Sequence, residues 1–192
     1  MNNYSDPAYK NDSSNKKWST KIIAITGIMM AFVFVATYFT KIPIPMTKGY
    51  FNIGDTVIII TAVLLGPASG MIVGALGSML ADIAGGFFLF APLTLAVKGM
   101  EGYLIGIICK TKAGGLSDLW KRIIAVSVGM LAMVVGYFIG EAYIFSFFNE
   151  NYSYAVAASE LPLNMLQGGI SGVLGVLLSS LLIRINIKKS LG

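Results

Sequence analysis

Two ionisable side chains, Lys98 and Glu101, sit three residues apart inside the apolar run Ala91–Cys109. That spacing puts both on one face of a helix, near enough to pair. A charge at the centre of a membrane helix costs at least about 2.5–3.5 kcal/mol, so such groups face protein or water and find partners. Asp55 and Asp82 stand at the ends of two further apolar runs. Glu141 lies within another, and Asn164 and Gln167 open the last. One cation, several carboxylates and two amides suit two jobs. They could pin helices together as a structural ion pair, or line a cup that takes a small polar solute. Two acids at neighbouring helix mouths and two amides on the last helix favour the cup.

Other chemistries fall away. There is no histidine, hence neither the usual general base near neutral pH nor the commonest transition-metal ligand. A Ser-His triad and an H-E-x-x-H zinc site are both excluded. Cys109 is the single cysteine, so no intramolecular disulfide forms. The segment closest to a phosphate-binding G-x-x-x-x-G-K-[ST] loop is Gly102–Thr111, where Lys110 does not follow a glycine. No catalytic residue, cofactor or metal is expected. A membrane hydrolase built on Asp and Glu stays as an alternative, weakened because no helix carries a paired-acid motif.

The elements that position these groups are membrane helices. Charged residues make up 12% of the 192-residue chain and hydrophobic ones 56%, against about 25% charged in soluble domains. Mean hydropathy is +0.76, and 22 glycines fit close-packed helices in lipid. A span needs about 17–25 apolar residues. Ile22–Phe39, Ala91–Cys109, Ile123–Phe148 and Leu163–Ile185 qualify. Phe51–Ile83 is broken at Leu65–Met71 by GPASG, a tight turn. It yields two shorter helices, near Ile53–Leu65 and Ala68–Ile83. The expected fold is all-α, with six transmembrane helices in residues 21–186. Residues 1–20 form a flexible cytoplasmic tail, not a cleaved signal, and residues 187–192 a second tail.

Basic residues set the direction. Of the fourteen, only Lys41, Lys48 and Lys98 fall away from the face shared by both termini, so an N-in, C-in topology is expected. The net charge of +5 then reflects topology beside anionic lipid rather than nucleic-acid binding. In this frame Lys98 lies about 10 Å and Glu101 about 15 Å below the outer surface. The inner halves offer only Thr, Ser and Gly. A proton or ion relay would need polar steps there too. The pattern therefore fits an outward-opening pocket with an apolar floor better than a channel or a stand-alone carrier.

Small residues recur four apart at Gly27 and Ala31, Gly70 and Gly74, Gly102 and Gly106, Gly136 and Gly140, and Gly168 and Gly172. Internal packing is the expected use of any one pair. Gly27, Ala31 and Ala36 could also offer a smooth face to a partner helix. Aromatics crowd the outer loops, among them Tyr50 and Phe87. They serve as an interfacial belt or cover a flat ring by stacking. Gly85–Pro92 has the glycine hinges and bulky apolar groups of a lid. Lys41–Ile53, with Pro43 and Pro45, reads as a rigid outer flap. In it Asn52 and Asp55 tie the turn down or touch ligand, Asp55 alternatively capping the next helix.

The blocks GYFNIGD, GPASG, GSMLAD and KGMEG together resemble the substrate-binding S component of energy-coupling factor (ECF) vitamin transporters. The likeness is to the hydroxymethylpyrimidine or pyridoxine type of the riboflavin-transporter-like family, over nearly all of Ile22–Ile185. It implies a six-helix, non-enzymatic subunit that captures a vitamin or precursor from outside. It also implies a transmembrane coupling protein of the EcfT type and two cytosolic ATPases of the EcfA type. The family's alanine-rich first-helix face, which meets the coupling protein, is matched only approximately by Gly27, Ala31 and Ala36. Loops corresponding to Lys41–Ile53, Ala84–Ala91 and Asn149–Pro162 would close over substrate. Riboflavin and pantothenate are alternative ligands.

Overall fold

The computed structural model describes residues 18–43, 49–111, 118–148 and 152–185. Both expected tails lie outside these residues, except for 18–20, and so does the expected flap tip at 44–48.

Helix α1, Thr20–Phe39, starts where the Ser19 hydroxyl accepts the Ile22 N–H at 3.3 Å, an N-cap that satisfies one otherwise orphaned donor. The chain then makes a short antiparallel ribbon, β1 (Ile42–Pro43) and β2 (Tyr50–Phe51), with Ile42 opposite Phe51 and Pro43 opposite Tyr50. The proline-rich flap is thus a β-ribbon. Helices α2 (Gly54–Leu65) and α3 (Pro67–Ala84) follow. Only Gly66 separates them, at φ 92°, a conformation glycine reaches without a Cβ penalty. Pro67 opens α3, where its missing N–H costs nothing. Helix α4 spans Phe90–Lys110. Helix α5, Asp118–Ile139, runs on through a π-helical segment, Gly140–Phe145, into the three-residue α6, Ser146–Phe148. Helix α7 is Tyr154–Arg184.

Helix α7 begins nine residues before the expected Leu163, so most of the expected loop Asn149–Pro162 is helical. Ser153 caps it, accepting the Val156 N–H, and the alanine-rich start propagates readily. Pro162 lies within the helix. In consequence Asn164 and Gln167 are not in the first turns. They sit about 15 and 20 Å along α7.

Among the described residues, five helices are long and apolar enough to cross a membrane: α1, α3, α4, the α5–α6 rod and α7. Their outward faces carry exposed Phe32, Leu131, Val173 and Leu177, apolar surface that lipid covers. Helix α2 has 12 residues, about 18 Å, short of a bilayer core. It packs on α1, α3, α4 and α7, with Ile58, Ile59, Thr61 and Ala62 buried. Being wrapped by other helices rather than lipid, α2 can carry a carboxylate, Asp55, in its first turn.

The α3–α4 contact is close because its small residues interlock. A Cβ added at Gly102 would overlap the Gly70 carbonyl, and one at Gly74 the Lys98 carbonyl. Backbone cannot rotate away as a side chain can. Gly102→Ala is therefore expected to destabilise the protein by about 1–2 kcal/mol, overpacking outweighing alanine's helix preference. A thermal melt of the detergent-solubilised protein measures it.

Candidate substrate-binding site

The polar groups converge at the end of the bundle that carries the β-ribbon. Lys98 on α4 is the hub. Its ammonium lies 2.5 Å from Asp55 Oδ1 on α2 and 3.2 Å from Glu101 Oε2 one turn along its own helix. All three are buried, at 3%, 1% and 0% exposure. The Tyr137 ring lies 5.6 Å from the ammonium, within cation–π range, and its hydroxyl shares a hydrogen bond with Thr94 at 3.0 Å. Gln167 on α7 donates to Asp55 Oδ2 at 2.8 Å. Its carbonyl accepts the Asn52 backbone N–H at 2.9 Å and the Asn52 side-chain amide at 3.3 Å. Asn52 Oδ1 accepts the Gly54 N–H at 2.9 Å. Capping at the start of α2 thus falls to Asn52. Asp55 makes no capping hydrogen bond among the described residues; its two oxygens bind Lys98 and Gln167.

A second group clamps the ribbon. The Tyr50 hydroxyl donates to Asp82 Oδ1 on α3. Lys41 donates to the Ala81 carbonyl at 2.6 Å, with the Tyr50 and Phe87 rings 4.7 and 4.9 Å from its ammonium. Partial burial lowers the Lys41 pKa, opposed by the Asp82 charge, while burial and then Asp82 raise that of the Tyr50 phenol. Phe87 packs on Tyr50 at 4.8 Å between centroids.

The third group is acidic. Glu141, on the π-helical segment, lies near Glu160 on α7, and Glu160 Oε1 accepts the Gly49 N–H at 3.2 Å. Phe90, Phe145 and Tyr152 pack edge to face beside them.

These groups surround a narrow cavity of about 30 Å³, lined by Tyr50, Asn52, Asp82, Lys98, Glu141, Glu160, Asn164 and Gln167 with Thr37, Thr94, Phe90 and Tyr137. Of its lining side chains, Tyr50, Asn52, Lys98, Glu160 and Gln167 are held by hydrogen bonds to other elements. It can offer both donors and acceptors to a small solute.

The family model for the ECF-type riboflavin transporter S component matches residues 17–184. The chain belongs to this family. Among curated relatives, a thiamine precursor transporter, HmpT of Lactococcus lactis subsp. cremoris, is 30% identical over 168 residues, 87% of this chain and 90% of that one. An uncharacterised protein of Pyrococcus woesei is 39% identical over 105 residues, 55% of this chain and 68% of that one. A solved structure, the S component of a bacterial ECF transporter, aligns with a TM-score of 0.64 at 19% identity, covering 86% of this chain and 96% of that one. Family and fold are those of transporter S components, not of enzymes, and the protein is a multi-pass, substrate-binding membrane subunit.

In this S component seven of the ten expected site residues line one cavity: Tyr50, Asn52, Asp82, Lys98, Glu141, Asn164 and Gln167. The other three stand behind it. Asp55 and Glu101 hold Lys98, and Phe87 backs Tyr50. Glu160, Tyr137 and Thr94 also line it and were not singled out from sequence. Glu160 lay in a segment read as loop, and the other two were hidden in apolar runs. Gly49 is fixed by contact: a Cβ there would strike the Glu160 carboxylate. Gly49→Ala is expected to push the Glu160 carboxylate aside and weaken ligand binding about fivefold, the worth of one ordinary hydrogen bond. Calorimetric titration of the purified protein reads the loss. On α1, Gly27 and Ala31 face outward and Ala36 is half-buried. Since a Cβ at Gly27 would meet nothing within 4 Å, the expected internal packing is not found there.

Proposed function

We propose that this S component captures a small, flat, hydrogen-bonding vitamin or precursor of the hydroxymethylpyrimidine or pyridoxine kind from outside the cell. It spans the cytoplasmic membrane six times, with both termini inside, α2 counting as the short sixth helix. A transmembrane coupling protein of the EcfT type and two cytosolic EcfA-type ATPases then drive release. Gly27, Ala31 and Ala36, on the open face of α1, meet the coupling protein.

The observation that carries this reading is the cavity itself. Its polar wall lies wholly at the ribbon end, and its aromatic residues, Tyr50, Phe90 and Tyr137, can flank a ring. The likeness to HmpT supports a pyrimidine ligand, and the family description makes riboflavin the competitor to include. The test is titration of the detergent-purified protein with 4-amino-5-hydroxymethyl-2-methylpyrimidine, pyridoxine, riboflavin and pantothenate, without nucleotide. Tight binding of one of the first two is expected. Binding of riboflavin alone would reassign the substrate, and accumulation of solute by the protein alone in liposomes would replace the reading with a self-sufficient carrier.

A further inference from the structure

Among the described residues, three cavity-lining side-chain atoms are buried without a hydrogen-bond partner: Asp82 Oδ2, Glu141 Oε2 and the hydroxyl Thr37 Oγ1. Two of the three are carboxylate oxygens, so the cavity is short of donors. The two acids differ in their surroundings. Asp82 accepts from Tyr50 and feels the charges of Lys41 and Lys98. Glu141 and Glu160, each 2% exposed, form no ion pair among the described residues. The two carboxylates lie near each other.

Glu160 has a structural explanation, since it anchors Gly49 of the ribbon. Glu141 has none. The backbone places it nonetheless, because the α5 rod widens to a π-helix over Gly140–Phe145. Such insertions are rare and concentrate at functional sites. This one carries Glu141 into the cavity wall, while its neighbour Tyr143 faces outward. A carboxylate on a cavity-lining residue of a membrane helix, with one buried oxygen unpartnered and no ion pair among the described residues, lacks a partner that a ligand would bring.

We propose that Glu141 Oε2, backed by Glu160, is the specificity-determining acceptor for an exocyclic amino group on the heterocycle, so that the site selects amino-bearing rings over their oxo or hydroxyl counterparts. This rests on the functional reading above and goes beyond it by naming the group recognised. A site built to accept an N–H strongly rejects an analogue lacking it, because the buried acceptor is left unpaired.

The experiment measures affinities of the wild type, Glu141→Gln and Glu141→Leu for 4-amino-5-hydroxymethyl-2-methylpyrimidine and its 4-oxo analogue. The wild type is expected to prefer the amino compound by about 30-fold, the worth of a hydrogen bond to a charged group. Gln keeps a carbonyl acceptor but loses the charge, and the preference should fall to about tenfold or less. Leu should abolish it. Size-exclusion profiles and thermal melts check that each variant folds. A preference that survives in Glu141→Leu, or a wild type that binds both pyrimidines equally, would overturn the assignment while leaving the capture function standing. Failure of the wild type to bind either pyrimidine or pyridoxine would overturn the functional reading and this inference with it.

Discussion

Lys98→Met is expected to destabilise the protein by about 3–5 kcal/mol, the cost of stranding buried carboxylates without their cation. Asp55 and Glu101 would both lose their ion pair, and neither reaches water. Methionine has nearly the length of lysine, so packing is largely kept and the loss is electrostatic. The triple variant Lys98→Met, Asp55→Asn, Glu101→Gln should recover much of it, because no uncompensated charge remains. A thermal melt of the purified protein distinguishes this from a packing effect. Ser179, buried on α7 and bonded only to its own helix at the Val176 carbonyl, provides the contrast. Ser179→Ala should change stability by less than about 1 kcal/mol. Equal losses at Lys98 and Ser179 would remove the hub from the account. Lys98 also lines the cavity, so ligand affinity should fall with the same substitution and remain low in the triple variant.

Gln167→Leu is the second large effect. One side chain joins α7 to the start of α2 twice, donating to Asp55 and accepting from Asn52. Leucine leaves the Asn52 N–H and one Asp55 oxygen unsatisfied in a buried site. Each orphan costs about 1–3 kcal/mol, so a loss of about 3 kcal/mol is expected. Gln167→Glu should be poorly tolerated for a different reason, since it would place a second carboxylate against Asp55. Hydrogen exchange localises the damage. Faster exchange at Asn52 and in the first turn of α2, with α3 and α4 unchanged, is the expected pattern. Uniform acceleration would show that Gln167 serves the whole bundle instead.

How much of this was legible in the sequence depends on the range of each contact. The Lys98–Glu101 pair is local, and i, i+3 spacing was enough to expect it. Asp55, closer still to Lys98, is 43 residues away in the chain. Its role needed the packing of α2 on α4, which no periodicity prescribes. The polar end of the bundle was visible because lipid penalises charge wherever it falls, making each ionisable residue in an apolar run informative. Glu160 escaped for the opposite reason. Its segment falls in Asn149–Pro162, which the family resemblance marks as loop, yet the upstream Ser153 cap and alanines carry the helix through it. The π-helical turn had no sequence signal, since one extra residue in a helical rod leaves composition unchanged. The close approach of α3 and α4 was half visible. Glycines four apart announced a contact, but not that Gly102 meets Gly70.

The central claim is that the polar cavity opens to the outside and holds the ligand. The direct measurement uses Asn164→Cys, on the cavity wall, in a Cys109→Ser background that removes the chain's single native thiol. In intact cells a membrane-impermeant maleimide should label Cys at position 164 from outside, and 4-amino-5-hydroxymethyl-2-methylpyrimidine should protect it. Labelling only in inside-out vesicles, or labelling that none of the candidate vitamins slows, would contradict the account.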